Sequence, residues 1–231
     1  MNGEGVKMSR RQPKMMKFGR GLLARTGMSL FMCAAFAASA QEMNACGSLS
    51  NGYGPFDYRS NHDKHAIVER FHFTQDVEQL RGGASSTRIG GDIAYVLRVF
   101  PNHPRALDAM ARLSEREKKP TPEGARYSVD CWFERGMRFR PDDEVVKMLY
   151  GMHLLRSGKN REAVKYLEQA KEGGQPNANV HYNLGLAYVK LGDYNAALEN
   201  AHIAYRLGFP LPGLKNQLMR AGKWREAVSD R

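Results

Sequence analysis

The C-terminal half of the chain repeats itself every 34 residues, and this period constrains the fold more than any other property of the sequence. Tyr150-Gly151 and Leu184-Gly185 lie one period apart, as do Gly158 and Gly192, Ala163 and Ala197, Ala170 and Ala204, and Pro176 and Pro210. Within each unit the landmarks fall at helical spacing. Tyr150, Gly151 and Leu154 share one face of a first helix, and Ala163, Leu167 and Ala170 share one face of a second. Small residues at Gly151 and Ala163 let two helix backbones approach closely. Gly158 supplies the turn between them, and Gly173-Gly174 with Pro176 ends the unit. A helix–turn–helix unit of this size cannot bury its apolar face alone, so the pattern predicts three or more stacked units.

These residues resemble the tetratricopeptide repeat family. The clearest copy spans 178–211, with Leu184, Gly185, Tyr188, Gly192, Tyr194, Ala197, Ala201 and Ala204 at the family's positions and His181 where it carries tryptophan. A second copy spans 144–177, with Leu154 where the family often has tyrosine and Asn160 where it has an aromatic. A preceding unit begins at Pro104. Leu107, Met110 and Ala111 pack its first helix, and Val129, Phe133 and Gly136 its second, across a lengthened turn around Lys118 to Pro122. A helix from about Ile93 to Phe100 looks like the second half of a degenerate unit. Leu218, Gly222, Trp224 and Ala227 look like a final unit with a shortened first helix, which suits a cap over the end of the array. The resemblance therefore implies an all-α solenoid over residues 92–231, preceded by a less regular segment, 41–91.

The resemblance also implies which side chains face a concave groove. In the first full unit they are Arg105, Asp108, Arg112, Glu115 and Arg116. The second contributes Val145, Met148, Met152, Leu155 and Arg156, and the third Asn179, Tyr182, Leu186, Val189 and Lys190. The family's carboxylate clamp needs lysine and asparagine at positions held here by Met148, Met152, Tyr182 and Leu186, so a clamp is not expected. What remains is an apolar strip edged by Arg156 and Lys190. Thioethers and an aromatic ring suit the apolar face of a partner peptide or helix. Alternatively, the chain's own N-terminal segment or neighbouring units fill the strip.

The net charge of +11 over 231 residues first looks like a nucleic-acid binder. Residues 1–40, however, hold seven of the 35 basic residues and one of the 24 acidic ones, so more than half of the excess sits in one terminal segment. Its basic stretch leads to an apolar run, Met28 to Ala38, and then to Ala38-Ser39-Ala40. These are the three parts of a secretory signal peptide, with cleavage expected after Ala40. The run is well short of the ~20 residues that span a bilayer as a helix, so no transmembrane anchor is expected in the mature chain. Export and a mild residual charge both argue against a nucleic-acid partner. The expected compartment is the periplasm or the exterior.

Cleavage would remove Cys33 and leave Cys46 and Cys131 in an oxidising compartment, where an even pair favours a disulfide. Closing a loop of that length stabilises by about 4 kcal/mol in the chain-entropy model. Two unrelated thiols are the alternative.

Residues 41–91 carry no repeat. Asn51 to Pro55 is turn chemistry, and Thr74 reads as the N-cap of a short helix from Gln75 to Leu80, stopped by Gly82-Gly83. Arg81 to Gly91 reads as a loop, and 66–73 has no clean period. The stretches Tyr53 to Tyr58 and Phe100 to Leu107 are similar to ones in a group of secreted bacterial tetratricopeptide repeat proteins, which implies no activity. His62, His65 and His72 with Asp63 match no metal framework, and Glu69 and Glu78 have no fixed separation. No phosphate loop or nucleophile motif is present. No catalytic residue, metal or cofactor is expected. The sequence thus points to an exported scaffold that binds a protein or peptide partner in the cell envelope. The competing readings are a structural subunit of a secretion or polysaccharide-export assembly, and an envelope enzyme with its site in 41–91.

Overall fold

Residues 46–226 are described by a computed structural model, and all belong to one unit, residues 43–231. The expected signal segment, and Ala227 of the final unit, lie outside the described residues.

Helix pairs dominate the architecture, and no strand occurs among the described residues. Helices α1 (His62–His72), α2 (Gln75–Glu78) and α3 (Ile89–Val99) precede the array. Then come α4 (Pro104–Glu117) with α5 (Val129–Phe139), α6 (Glu144–Arg156) with α7 (Asn160–Gly173), α8 (Ala178–Leu191) with α9 (Tyr194–Arg206), and α10 (Gly213–Arg220). The two clearest units thus fold as helix pairs with short turns. Gly158 and Gly192 hold those turns at φ +77° and +78°, where nothing lies within 4 Å of an added Cβ, so glycine serves the backbone conformation there and not a close contact.

Side-chain caps start the first helices of the two clearest units. Asp143 Oδ1 accepts from the amides of Val145 and Val146 at 3.1 and 3.3 Å, and Asn177 Oδ1 accepts from Asn179 at 2.8 Å. These two caps are one period apart and satisfy amides that the helix itself leaves unpaired. Gly151 and Gly185 mark the tightest helix contacts. A Cβ at Gly151 would meet Leu167 Cγ at 2.6 Å, and one at Gly185 would meet Leu214 Cδ2 at 2.3 Å. The main core runs without interruption from Val68 to Leu184 and is bulkiest at Phe100, Trp132 and Phe133. A smaller core of Ala197, Ala201, Leu214 and Leu218 closes the C-terminal end. Helix α10 has 8 residues against 14 in α8, the shortening expected of the last first helix.

The N-terminal segment is more regular than its sequence suggested. His62–His72 is helical although only Val68 among its residues is buried, because its order comes from contacts elsewhere in the chain. Helix α3 begins at Ile89, within the stretch read as loop. Gly90 lies against the backbone carbonyl of Glu123, 2.3 Å from where a Cβ would sit, so two glycines that read as loop pack inside a helix. Helix α2 ends at Glu78, and Leu80 takes φ +61° after it.

Long-range ties hold this segment on the array. Cys46 and Cys131 form a disulfide. The buried Arg135, its guanidinium stacked over Tyr127 and Trp132, donates to the carbonyls of Cys46, Gly47 and Ser48 at 2.9, 3.3 and 2.7 Å. The stretches Tyr53 to Tyr58 and Phe100 to Leu107 meet in space. The Phe56 amide donates to Val99 O at 2.8 Å, the Tyr58 amide donates to Asn102 Oδ1 at 3.0 Å, and the Tyr58 ring lies 4.0 Å from that of His103. These segments are therefore structural partners.

Candidate functional site

Helices α4, α6 and α8 carry the fifteen side chains expected to face a groove, and the three units differ sharply. On α4 every one of them is engaged within the chain. Arg105 donates to Glu69 Oε2 at 2.9 Å and to Glu78 Oε2 at 3.0 Å, so the two carboxylates flagged in the sequence share one guanidinium. Arg112 binds Asp108 Oδ2 at 2.7 Å and the carbonyl of Glu78 at 2.9 Å, and Arg116 binds the carbonyl of Leu80. Glu115 accepts from Arg156 Nε at 2.7 Å. The α2 turn lies on this face, with Val77 and Leu80 buried beneath it. The N-terminal segment thus covers the first unit.

On α6 and α8 the strip is apolar and half-buried. Met148 and Leu155 pack against the main core while Tyr182, Leu186 and Val189 pack against the C-terminal one. Val145 and Met152 are also half-buried, and Asn179, Arg156 and Lys190 are exposed. Glu144, Val145, Met148 and Val180 help to line a pocket of about 190 Å³ at the N-terminal end of α6. Tyr182 is not open: its ring stacks on Phe209 with centroids 3.8 Å apart and 18° between planes, and its hydroxyl abuts Gly213. That covering comes from Phe209 in the loop before α10. The residues expected in the strip lie on α6 and α8, and one of them, Tyr182, is already covered, as is the corresponding face of α4.

The chemistry-bearing side chains of the N-terminal segment are used in packing. His65 stacks on Tyr58 at 4.0 Å and His62 packs edge-on against His65. His72 Nδ1 lies 2.9 Å from the buried Asp92, whose carboxylate also accepts from the amides of Ala84 and Ser86. Among the described residues no group of three His, Cys, Asp or Glu is placed to hold a metal ion.

His103 and Glu69, both shifted from their ordinary ranges, belong to one network. His103, fully buried, accepts from the Ala106 amide through Nδ1 at 3.2 Å, which leaves Nε2–H to donate to Glu69 Oε1 at 3.1 Å. Burial holds the His103 imidazole below its ordinary range, against the pull of Glu69. The hydrogen bond from His103 outweighs the burial of Glu69 and, with those from Tyr58 and the charge of Arg105, brings its carboxyl down to about 2. An imidazole with no exposed atom orients helices and cannot reach a substrate. The sequence flagged Glu69 without seeing His103, whose role as the helix-capping residue at Pro104 becomes visible only from the backbone.

Comparison with known sequences adds one relationship. Residues 178–200 match the tetratricopeptide repeat, covering α8 and half of α9. A comparison with curated proteins returns no match.

Proposed function

We propose that this chain, a tetratricopeptide repeat protein, works without catalysis, presenting the first-helix face of α6 and α8 to a protein or peptide. The repeat is a protein-interaction module, and here the fold supplies a preformed face, so little ordering cost opposes binding. The observation that carries this reading is the contrast between units. The chain covers the α4 face with its own α2 turn, while Met148, Met152, Leu186 and Val189 on the following units stay half-exposed. Half-exposed thioethers and branched chains repack around differing apolar partners.

Placement in the periplasm or outside the cell rests on the signal-like residues 1–40 and on the Cys46–Cys131 disulfide, which persists in oxidising compartments. No helix among the described residues is long and apolar enough to cross a membrane.

Affinity capture from envelope extracts tests the reading. A Met152→Glu, Leu186→Glu chain should lose its partner while keeping its helical circular dichroism. Unchanged capture by that variant refutes the groove.

A further inference from the structure

The seat of the α2 turn on α4 shows what this helix face accepts. Val77 is 0% and Leu80 9% exposed, so two apolar side chains three residues apart point into the array. Arg105 takes the Glu78 carboxylate, while Arg112 and Arg116 take the carbonyls of Glu78 and Leu80. Carbonyls at a helix C-terminus have no partner within the helix, and cations are favourable there. The α4 face therefore holds a short, acidic, amphipathic helical turn, with the turn's C-terminal end against its arginines.

The same positions recur on the next two first helices with a consistent change. Arg105 is replaced by Val145 and then Asn179, and Arg112 by Met152 and then Leu186, whereas Arg116 is matched by Arg156 and then Lys190. The middle of the face turns apolar, and the cation at its C-terminal edge is kept. Lys190 is exposed and has no partner among the described residues, while Arg156 keeps a third of its side chain exposed beside Glu115. On α4, Asp108 is paired with Arg112 and Glu115 with Arg156, whose own charge is taken in that pair, so Lys190 is the cation left to a partner at this edge. Glu144 stands at the opposite end of α6. Charge is thus polarised along the face. A cation in the last turn of its own helix is favourable in any helix, but that does not account for the half-exposed apolar side chains beside it.

Building on the groove reading, we infer that the face of α6 and α8 takes a second amphipathic helical segment of acidic character, supplied by a partner protein. Its apolar residues rest on Met148, Met152 and Leu186, and its acidic C-terminal end lies toward Lys190, beside the Arg156–Glu115 pair. The α2 turn exemplifies the apolar seat and the cation at the turn's C-terminal end; its Arg105–Glu78 contact has no counterpart at Val145 or Asn179.

The probe is a labelled peptide about 14 residues long, long enough to form a helix on binding, with leucines at helical spacing and glutamates elsewhere. It is titrated against the full chain by fluorescence anisotropy, beside one version with lysine for glutamate and one with serine for leucine. The glutamate peptide should bind, more weakly as salt rises, with the lysine version at least about tenfold weaker and the serine version not bound. Lys190→Glu should narrow or reverse the preference between the charged peptides. Equal affinity for the two charged peptides, indifference to Lys190→Glu, or no binding of the glutamate peptide overturns the inference. If equal affinities are both lost in Met152→Glu, the groove stands and only the acidic character of its partner falls. If the glutamate peptide binds Met152→Glu unchanged, the groove itself is refuted.

Discussion

Asn102 donates to the Asp57 carboxylate at 2.7 Å across 45 residues of chain. Its amide also donates to Asp143 Oδ2 at 2.9 Å, so one buried side chain separates two carboxylates from different parts of the chain. Arg59 and Arg140 complete the cluster from outside, each paired to both Asp57 and Asp142. Asp143 is at the same time the N-cap of α6. The N-terminal segment and the first clear repeat are therefore joined through a polar contact.

Asn102→Leu should destabilise the chain by about 2–3 kcal/mol, because it leaves carboxylate oxygens and the Tyr58 amide without their buried partner. Urea unfolding at neutral pH measures this. A cost below about 0.5 kcal/mol, typical of surface changes, would show that the cluster holds nothing together.

Stability should fall as pH drops below neutrality, in two stages. Burial lowers the pKa of His103 and of His153, so below about pH 6.5 the unfolded chain binds protons that the folded chain refuses. Glu69 and Asp57 act lower down. The His103 hydrogen bond leads in holding Glu69 at about 2, whereas for Asp57 burial pushes upward and the bonds from Arg59 and Asn102 outweigh it, again to about 2. Their contribution is complete above the ordinary carboxylate range and is lost between about pH 4.5 and 2. Thermal melts from pH 2 to 8 should show both declines, and Glu69→Gln should flatten the lower one. A flat Tm across that range contradicts the assignment.

Cys46 and Arg135 restrain the same few residues by different means. Replacing both disulfide cysteines by serine should cost about 2–4 kcal/mol, and Arg135→Met should cost about 1–3 kcal/mol through the carbonyls it abandons. Each change alone leaves the other restraint in place. Limited proteolysis within 46–60 should therefore accelerate more in the combined variant than the single variants predict. Additive rates would separate the two restraints.

Gly136→Ala should cost more than Gly185→Ala. A Cβ at Gly136 would stand 2.7 Å from the backbone carbonyl of Pro101, whereas one at Gly185 meets a methyl of Leu214 that can rotate at some cost. Overpacking of the first kind costs roughly 1–3 kcal/mol and forces helices apart. Comparing the two Tm values checks the order, and a more damaging Gly185→Ala would reverse the argument.

The helix pairs from Glu144 to Arg206 were legible because a stacked array draws its contacts from neighbouring residues. Gly151 against Leu167 and Gly185 against Ala197 are local meetings that leave a period in the sequence. Helix α1 was not legible. It buries only Val68 and is ordered through Glu69, whose partners Tyr58, His103 and Arg105 lie up to 36 residues away. Pairwise contacts at such separations leave no periodic trace. The disulfide stood between, since counting cysteines identifies a pair while only the fold brings Cys46 to α5.

The groove divides in the same way. The resemblance to the repeat family assigned Arg105, Arg112, Met152, Leu186 and Lys190 to one side of successive first helices, and helical period keeps such positions on one face. Whether that side was open was a tertiary matter. The arginines of α4 were expected to face a groove, yet their donors are taken by Asp108 and by the acids and carbonyls of the N-terminal segment. Tyr182 reads as available and is stacked on Phe209. The sequence by itself determined the helical units and the faces they present. Only the packing of distant segments, whose partners are chosen by shape and charge across tens of residues, decided which of those faces remained free.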